Sequence, residues 1–110
     1  VGGYFETGWV THCCMGTAGC VATFDTRENL TIYSITQIPS MAKADFQEAL
    51  KSMGIRGKVR VVNTTVGGGF GSKLDTYAFE YIAILLAHRT RRDDFDFLVR
   101  EVVRLGKSLN

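Results

Sequence analysis

The chain has 110 residues, of which 45% are hydrophobic and 22% charged, and its formal net charge is +2 at pH 7. That length fits one domain, and the apolar content suits a soluble globular protein that buries roughly 65% of its unfolded surface, not a disordered one. The charge is too small to point to nucleic acid, and no apolar run reaches the roughly 20 residues that a bilayer span needs.

Residues 1–12 read as extended, because Tyr4, Phe5, Trp9 and Val10 favour strands between the interruptions Gly2, Gly3 and Gly8. No basic n-region followed by an apolar h-region is visible there, so no signal peptide is expected. Cys13, Cys14 and Cys20 are odd in number, clustered, and off the C-x-x-C spacing of structural zinc sites. They are expected to be reduced, mostly buried thiols of a cytoplasmic protein.

Residues 20–24 and 30–36 read as two strands joined by the polar turn 25–29, an antiparallel hairpin. Pro39 and Ser40 open a helix that Gly54 ends, with Met41, Ala44, Ala49, Leu50 and Met53 as its apolar stripe and Phe46 on the flank. Residues 58–63 form a further strand. A long helix is predicted over 73–89, with Tyr77, Tyr81, Ile84, Leu85 and His88 on one side. Ala78, Phe79, Ile82, Ala83 and Leu86 fill much of the rest. A helix apolar around so much of its circumference is expected to be buried on more than one side. After the charge run 89–94, Leu98, Val99, Val102 and Leu105 predict a third, amphipathic helix over 95–109. The fold expected is α+β, in the order β-β-β-α-β-α. A mixed sheet of about four strands carries helices on one face, and a C-terminal helix follows.

Between the strand 58–63 and the long helix lies Val66-Gly67-Gly68-Gly69-Phe70-Gly71-Ser72-Lys73. Four glycines in five residues clear a strand-to-helix turn of side chains, so backbone N–H groups can approach a ligand. The following helix N-terminus adds further donors, which favours an oxygen-rich, anionic ligand. A nucleotide P-loop is excluded, since Lys73 follows Ser72 instead of Gly and Leu74 replaces the required hydroxyl. The spacing of Gly67, Gly69 and Gly71 also misses the dinucleotide-binding fingerprint. Phe70 among the glycines is a costly exposed residue unless something receives it. His12 and His88 are not expected to pair, and His88 is expected to pack with Tyr81 and Leu85. Ser72 and Lys73 diverge in direction, so they do not make a nucleophile pair. The Arg89–Arg92 cluster reads as a solvated helix end.

The loop resembles the pterin-side loop of the molybdenum hydroxylases: xanthine dehydrogenases, aldehyde oxidases, aerobic carbon monoxide dehydrogenases and hydroxybenzoyl-coenzyme A reductases. Residues 19–22 (Gly-Cys-Val-Ala), 30–37 (Leu-Thr-Ile-Tyr-Ser-Ile-Thr-Gln) and 59–63 follow that family's order and spacing. The resemblance covers roughly residues 1–90 and leaves 91–110 as a divergent, charged helical tail. It implies a large-subunit domain that binds molybdopterin, in many members as its cytosine dinucleotide, with molybdenum held by the dithiolene. Such a subunit hydroxylates carbon with oxygen from water and passes electrons to iron–sulfur and flavin subunits. Gln37 matches the glutamine that hydrogen-bonds an oxygen ligand of the molybdenum. Gly68, Gly69, Phe70 and Gly71 match the loop whose backbone N–H groups face the cofactor. A neutral carboxamide suits this role because it donates a hydrogen bond to an oxo group without protonating it.

Three departures qualify the resemblance. Leu74 stands where xanthine-type members carry a substrate-binding glutamate, so a purine-type substrate is not expected. Gly16-Thr17 replaces a common Glu-Pro or Glu-Thr, and a Gly-Arg-Pro-Val-Lys-like strand is missing after Thr90. Family subunits are several times longer and carry their catalytic carboxylate far downstream. No residue here is therefore assigned as catalytic or as a metal ligand, and the isolated chain is expected to be inactive and cofactor-free. The expected partners are the remainder of a large subunit and the iron–sulfur and flavin subunits, with no nucleic acid and no membrane. The alternative is a truncated, non-enzymatic remnant that persists as a folded interaction or self-associating module.

Overall fold

The computed structural model describes residues 1–90. Three strands make one sheet: β1 (Cys20–Phe24), β2 (Leu30–Ser34) and β3 (Val59–Asn63), in that spatial order. Helix α1 (Pro39–Ser52) connects β2 to β3, and α2 (Ala78–Thr90) follows the glycine loop. β1 pairs antiparallel with β2, Cys20 opposite Ser34 and Phe24 opposite Leu30. β2 pairs parallel with β3, Leu30 opposite Val59 and Ser34 opposite Asn63. The α+β class and the mixed sheet are as expected.

The hairpin turn is built by Asp25. Its Oδ1 accepts the N–H groups of Arg27 and Asn29 at 2.8 Å each, and Oδ2 accepts Asn29 Nδ2 at 2.8 Å. The Asn29 side chain and the two backbone donors favour the carboxylate and hold the Asp25 pKa below its usual range. Asn29 Oδ1 in turn accepts Lys58 N at 3.0 Å, which ties the turn to the start of β3.

Period-2 alternation places Leu30, Ile32 and Ser34 of β2 on the covered face and leaves Tyr33 exposed on the other. Both helices pack on that covered face. Ala42, Phe46 and Leu50 of α1 join Ile84, Ala83 and Ala87 of α2 over Ala22, Leu30, Ile32 and Val59 in one core. Phe46 and Tyr81 meet edge to face between the helices, centroids 5.6 Å apart. Each fully buried large side chain, such as Phe46, Leu30 or Ile32, contributes roughly 1.5–3 kcal/mol of transfer free energy.

The structure corrects four expectations. Residues 1–12 form no strand, so the sheet has three strands instead of about four; all twelve residues are exposed and pair with nothing among the described residues. β-propensity alone does not make a strand without a partner edge. In α1 the buried stripe is Ala42, Phe46 and Leu50 at strict i, i+4, i+8 spacing, while Met41 and Met53 face outward. Helix α2 begins at Ala78, five residues later than predicted, because 71–75 turn back to bury Lys73. It is also buried along one side only, with Phe79, Ile82 and Leu85 exposed. The helix predicted over 95–109 lies outside the described residues. No helix among the described residues is long and apolar enough to cross a membrane.

Candidate functional site

The loop between β3 and α2 holds its bend by backbone conformations that only glycine adopts cheaply. Gly67, Gly68 and Gly71 have φ of 62°, 94° and 98°, and Phe70 shares the left-handed region at 52°. Phe70 is thereby turned outward, 76% exposed, beside Val10, Thr11 and His12 of the N-terminal segment.

Two struts hold the loop from behind. The first is the N-terminal segment. Gly16 N donates to Gly67 O at 2.8 Å, and a Cβ on Gly67 would lie 2.7 Å from Gly16 Cα, so the two backbones touch as only paired glycines can. The second is Lys73, whose side chain is only 4% exposed. Its Nζ donates to Gly16 O at 2.7 Å and to Val66 O at 2.6 Å, clamping both sides of that contact. The Gly16 departure from the family pattern thus coincides with a position that has no room for a larger side chain.

The Gly69 carbonyl points inward. It accepts Ser72 N at 2.9 Å, Ser72 Oγ at 2.7 Å and Cys14 Sγ at 3.3 Å. In a trans peptide the next N–H points the opposite way, so the Phe70 amide is directed outward. Among the described residues the N–H groups of Gly68, Gly69 and Phe70 have no acceptor. The Gly71 N–H is engaged, at 3.0 Å, by Gln37 Oε1, which also accepts Lys73 N at 3.3 Å. Both partners are N–H donors, so the contacting atom is the carboxamide oxygen, and Nε2 is left to donate elsewhere. A Cβ on Gly69 would sit 2.3 Å from Gln37 Oε1, so the glycine makes room for that carboxamide.

Gln37 is placed by the end of β2. Its own N–H donates to Lys73 O at 2.9 Å, and buried Thr36 accepts Ile38 N on its hydroxyl at 3.2 Å. Gln37 therefore lies against the bend that carries Gly68, Gly69, Phe70 and Gly71. Within it, Gly71 supports Gln37 and does not present a free amide.

Sequence reasoning missed three supports. Lys73, expected to open the long helix, is instead buried on the carbonyls of Gly16 and Val66. Cys14 was read as a generic thiol and instead bonds the loop. Glu80, only 3% exposed, was not singled out. Its Oε2 accepts Tyr77 N at 2.8 Å, and its Oε1 accepts the Ser34 hydroxyl of β2. Tyr77 immediately precedes α2 and Glu80 is its third residue, the geometry of a capping carboxylate that starts the helix at 78. His88, expected against Tyr81 and Leu85, lies edge-on to Phe24 at 5.3 Å.

All three cysteines are free, and Cys13 is exposed, contrary to the expectation of mostly buried thiols. Cys20 faces the core side near Glu80. Burial first, and the Glu80 charge second, push its pKa from 9.0 up to about 12. A disulfide-exchange reagent near pH 8 is therefore expected to label Cys13 rapidly and Cys20 only after denaturation. Peptide mapping of the labelled chain checks this, and equal labelling rates would show that Cys20 is open to solvent.

The comparisons with known proteins bear on the family and the fold. A model of the molybdopterin cofactor-binding domain matches residues 1–95. The xanthine dehydrogenase molybdenum-binding subunit of Escherichia coli O157:H7 is 37% identical over 75 residues, 68% of this chain and 10% of that protein. The carbon monoxide dehydrogenase large chain of Hydrogenophaga pseudoflava is 36% identical over 74 residues, 66% of this chain and 9% of that protein. Among solved structures, quinoline 2-oxidoreductase from Pseudomonas putida 86 superposes with a TM-score of 0.66 at 30% identity, over 76% of this chain and 10% of that one. The chain spans about a tenth of the length of these relatives. A match that spans all the described residues, joined to a shared fold, settles the kinship: the chain belongs to the molybdopterin cofactor-binding domain family of the molybdenum hydroxylases.

Proposed function

We propose that Gln37 with Gly68, Gly69, Phe70 and Gly71 forms one wall of a molybdopterin site within the large subunit of a molybdenum-dependent hydroxylase. The observation that supports this is the anchored carboxamide. Gln37 is fixed through Oε1 by two loop amides, which leaves Nε2 as a neutral donor on the same side chain that abuts Gly69 of the bend. The donor set fits an oxygen-rich, anionic cofactor, because the N–H groups of Gly68, Gly69 and Phe70 have no acceptor among the described residues and the bend carries no carboxylate. When bound, molybdopterin, as such or as its cytosine dinucleotide, holds molybdenum and supplies the redox chemistry of carbon hydroxylation. This chain's residues bind and orient. The Phe70 amide and Gln37 Nε2 donate to cofactor oxygens, the glycines let the cofactor approach the backbone, and Gly71 and Lys73 keep the carboxamide from turning away.

One bend binds the cofactor only weakly and supplies no base, so the 110-residue chain purifies without it, is inactive by itself and works with the remainder of a large subunit. Its electron acceptors are iron–sulfur and flavin partners in the cytoplasm. Leu74, next to the buried Lys73, offers no carboxylate for a purine-type substrate. The test is a titration of the chain with released molybdopterin under anaerobic conditions, followed by amide chemical shifts. Shifts are expected at Gly68, Gly69, Phe70 and the Gln37 side chain. Gln37→Ala is expected to weaken binding about tenfold, the loss of one hydrogen bond to a charged group at roughly 1.5 kcal/mol. Shifts confined to other residues would sink the site. Stoichiometric molybdenum with substrate-dependent dye reduction in the purified chain would overturn the claim of inactivity.

A further inference from the structure

We propose that Cys13 and Cys14 form a reversible redox site, in which closing a disulfide between these adjacent residues withdraws Cys14 from the glycine bend. Both thiols are free, Cys13 exposed and Cys14 half-buried. Cys14 is engaged: its Sγ donates to Gly69 O at 3.3 Å and lies 3.3 Å from Ser72 Oγ. A Cβ on Gly68 would meet Cys14 Cβ at 3.7 Å, so the side chain packs against the same bend. Cys13 has a φ of 43°, in the left-handed region that a residue with a Cβ enters only at a cost. One thiol of the pair thus meets dissolved reagents while the other supports the loop.

The chemistry is two thiol–disulfide exchanges with a low-molecular-weight disulfide of the glutathione type. The Cys13 thiolate attacks that disulfide, one glutathione leaves as its thiolate, and a mixed disulfide forms on Cys13. The Cys14 thiolate then attacks the Cys13 sulfur, the second glutathione leaves, and the two cysteines share an S–S bond. The cysteine pair gives up two electrons and two protons, and the glutathione disulfide takes both to become two thiols. The oxidised Cys14 sulfur has no hydrogen left to donate to Gly69 O. It also has to turn from the bend towards Cys13, so the supporting contact and the ring exclude each other. Neighbouring Cα atoms are about 3.8 Å apart, closer than the roughly 4.4–6.8 Å of ordinary disulfides, so the ring is strained and easily reduced. Such a bond suits a switch and not a permanent staple. The Gly69 carbonyl that loses Cys14 shares its peptide plane with the Phe70 N–H, so a shift there moves a donor of the cofactor site. That consequence rests on the site proposed above; the ring closure does not.

Treating the reduced full chain with oxidised glutathione and mapping its peptides by mass spectrometry tests this. The expected product is lighter by two hydrogens, with a bond between Cys13 and Cys14, no retained glutathione, and Cys20 still a thiol. Amide shifts of Gly69, Phe70 and Ser72 are expected to move on closure and to return with excess reduced glutathione. Cys14→Ser keeps a hydroxyl for Gly69 O, and is expected to retain glutathione on Cys13 with those amides unmoved. Glutathione retained on Cys13 of the parent chain overturns the proposal, as does a Cys13–Cys13 bond between two copies. Closure that leaves Gly69, Phe70 and Ser72 unmoved overturns the link to the bend. Released molybdopterin is expected to bind the oxidised chain about three- to tenfold more weakly than the reduced one, the share of one neutral hydrogen bond. Equal binding by both forms overturns control of the cofactor site and leaves the site itself standing. Absence of binding by the reduced chain defeats the site, and the ring closure is then decided by its own mass and shift measurements.

Discussion

Replacing Lys73 by methionine is expected to destabilise the domain by roughly 2–4 kcal/mol, because two carbonyl acceptors lose a charge-assisted donor at once. Methionine keeps the unbranched shape and most of the volume, so the change isolates the ammonium from packing. The Nζ clamps Gly16 O at 2.7 Å and Val66 O at 2.6 Å, and with 4% exposure the site admits little water to take its place. Thermal unfolding reads the result as a Tm lower by on the order of 10–20 °C for a domain of this size. Because the clamp lies under the loop, the variant is also expected to loosen the Gly16–Gly67 contact, seen as faster exchange of the Gly16 amide. A loss below about 0.5 kcal/mol would show that water satisfies both carbonyls and that the lysine is not a strut.

That expectation rests on a residue the sequence hid, and the reason is physical. Periodicity reports which residues face a core, and it worked where the core is made by alternation. The strands 20–24, 30–34 and 59–63 were legible because buried Ile32 and Val59 sit beside exposed Tyr33 and Arg60, and buried Ala22 lies between the half-buried Val21 and Thr23. Turn chemistry was legible too, since residues 25–29 carry Asp and Asn side chains that bond their own backbone. The glycine bend was legible because four glycines in five residues leave few alternatives, whereas Gln37 was singled out only by the resemblance to the molybdenum hydroxylases.

What failed was any feature that depends on an intramolecular polar contact across distant sequence. Lys73 reaches Gly16 across 57 positions, and Glu80 reaches Ser34 across 46. Neither residue differs in kind from a solvated surface charge until the fold brings its partner near. The late start of α2 follows from the same two contacts: Lys73 must leave the helix to be buried, and Glu80 caps the helix at Tyr77. The α1 stripe was misassigned for another reason. Met41, Ala44 and Met53 offered a plausible apolar set, but only Phe46 at its centre fixes which side turns to the sheet. The first twelve residues were given strand character from propensity, which cannot supply the neighbouring edge a strand requires.

Glu80→Ala is expected to cost roughly 3 kcal/mol, since it removes the acceptor of a fully buried hydroxyl and of a helix-capping N–H together. Ser34 and Tyr77 lie on different elements, so this one carboxylate joins β2 to the start of α2. Glu80→Gln should cost only about 1 kcal/mol, because the amide oxygen can take the Tyr77 N–H while the Ser34 hydroxyl rotates to accept from the new NH2. The pair therefore separates loss of hydrogen bonding from loss of charge. Charge has its own readout in Cys20. Its raised pKa stabilises the fold below about pH 9, and that contribution is lost as pH rises from 9.0 towards about 12. Burial, the larger cause, persists in Glu80→Gln, whereas the repulsion from the carboxylate does not. The thiol is therefore expected to titrate lower than in the parent yet still above 9.0, with alkaline loss of stability ending at a lower pH. Thiolate ultraviolet absorbance and thermal unfolding across the alkaline range measure both effects. Equal destabilisation by Ala and Gln would mean that the carboxylate holds the two elements by its charge and not by its two acceptor positions. An unmoved Cys20 titration would then remove that reading as well and leave Glu80 as packing alone.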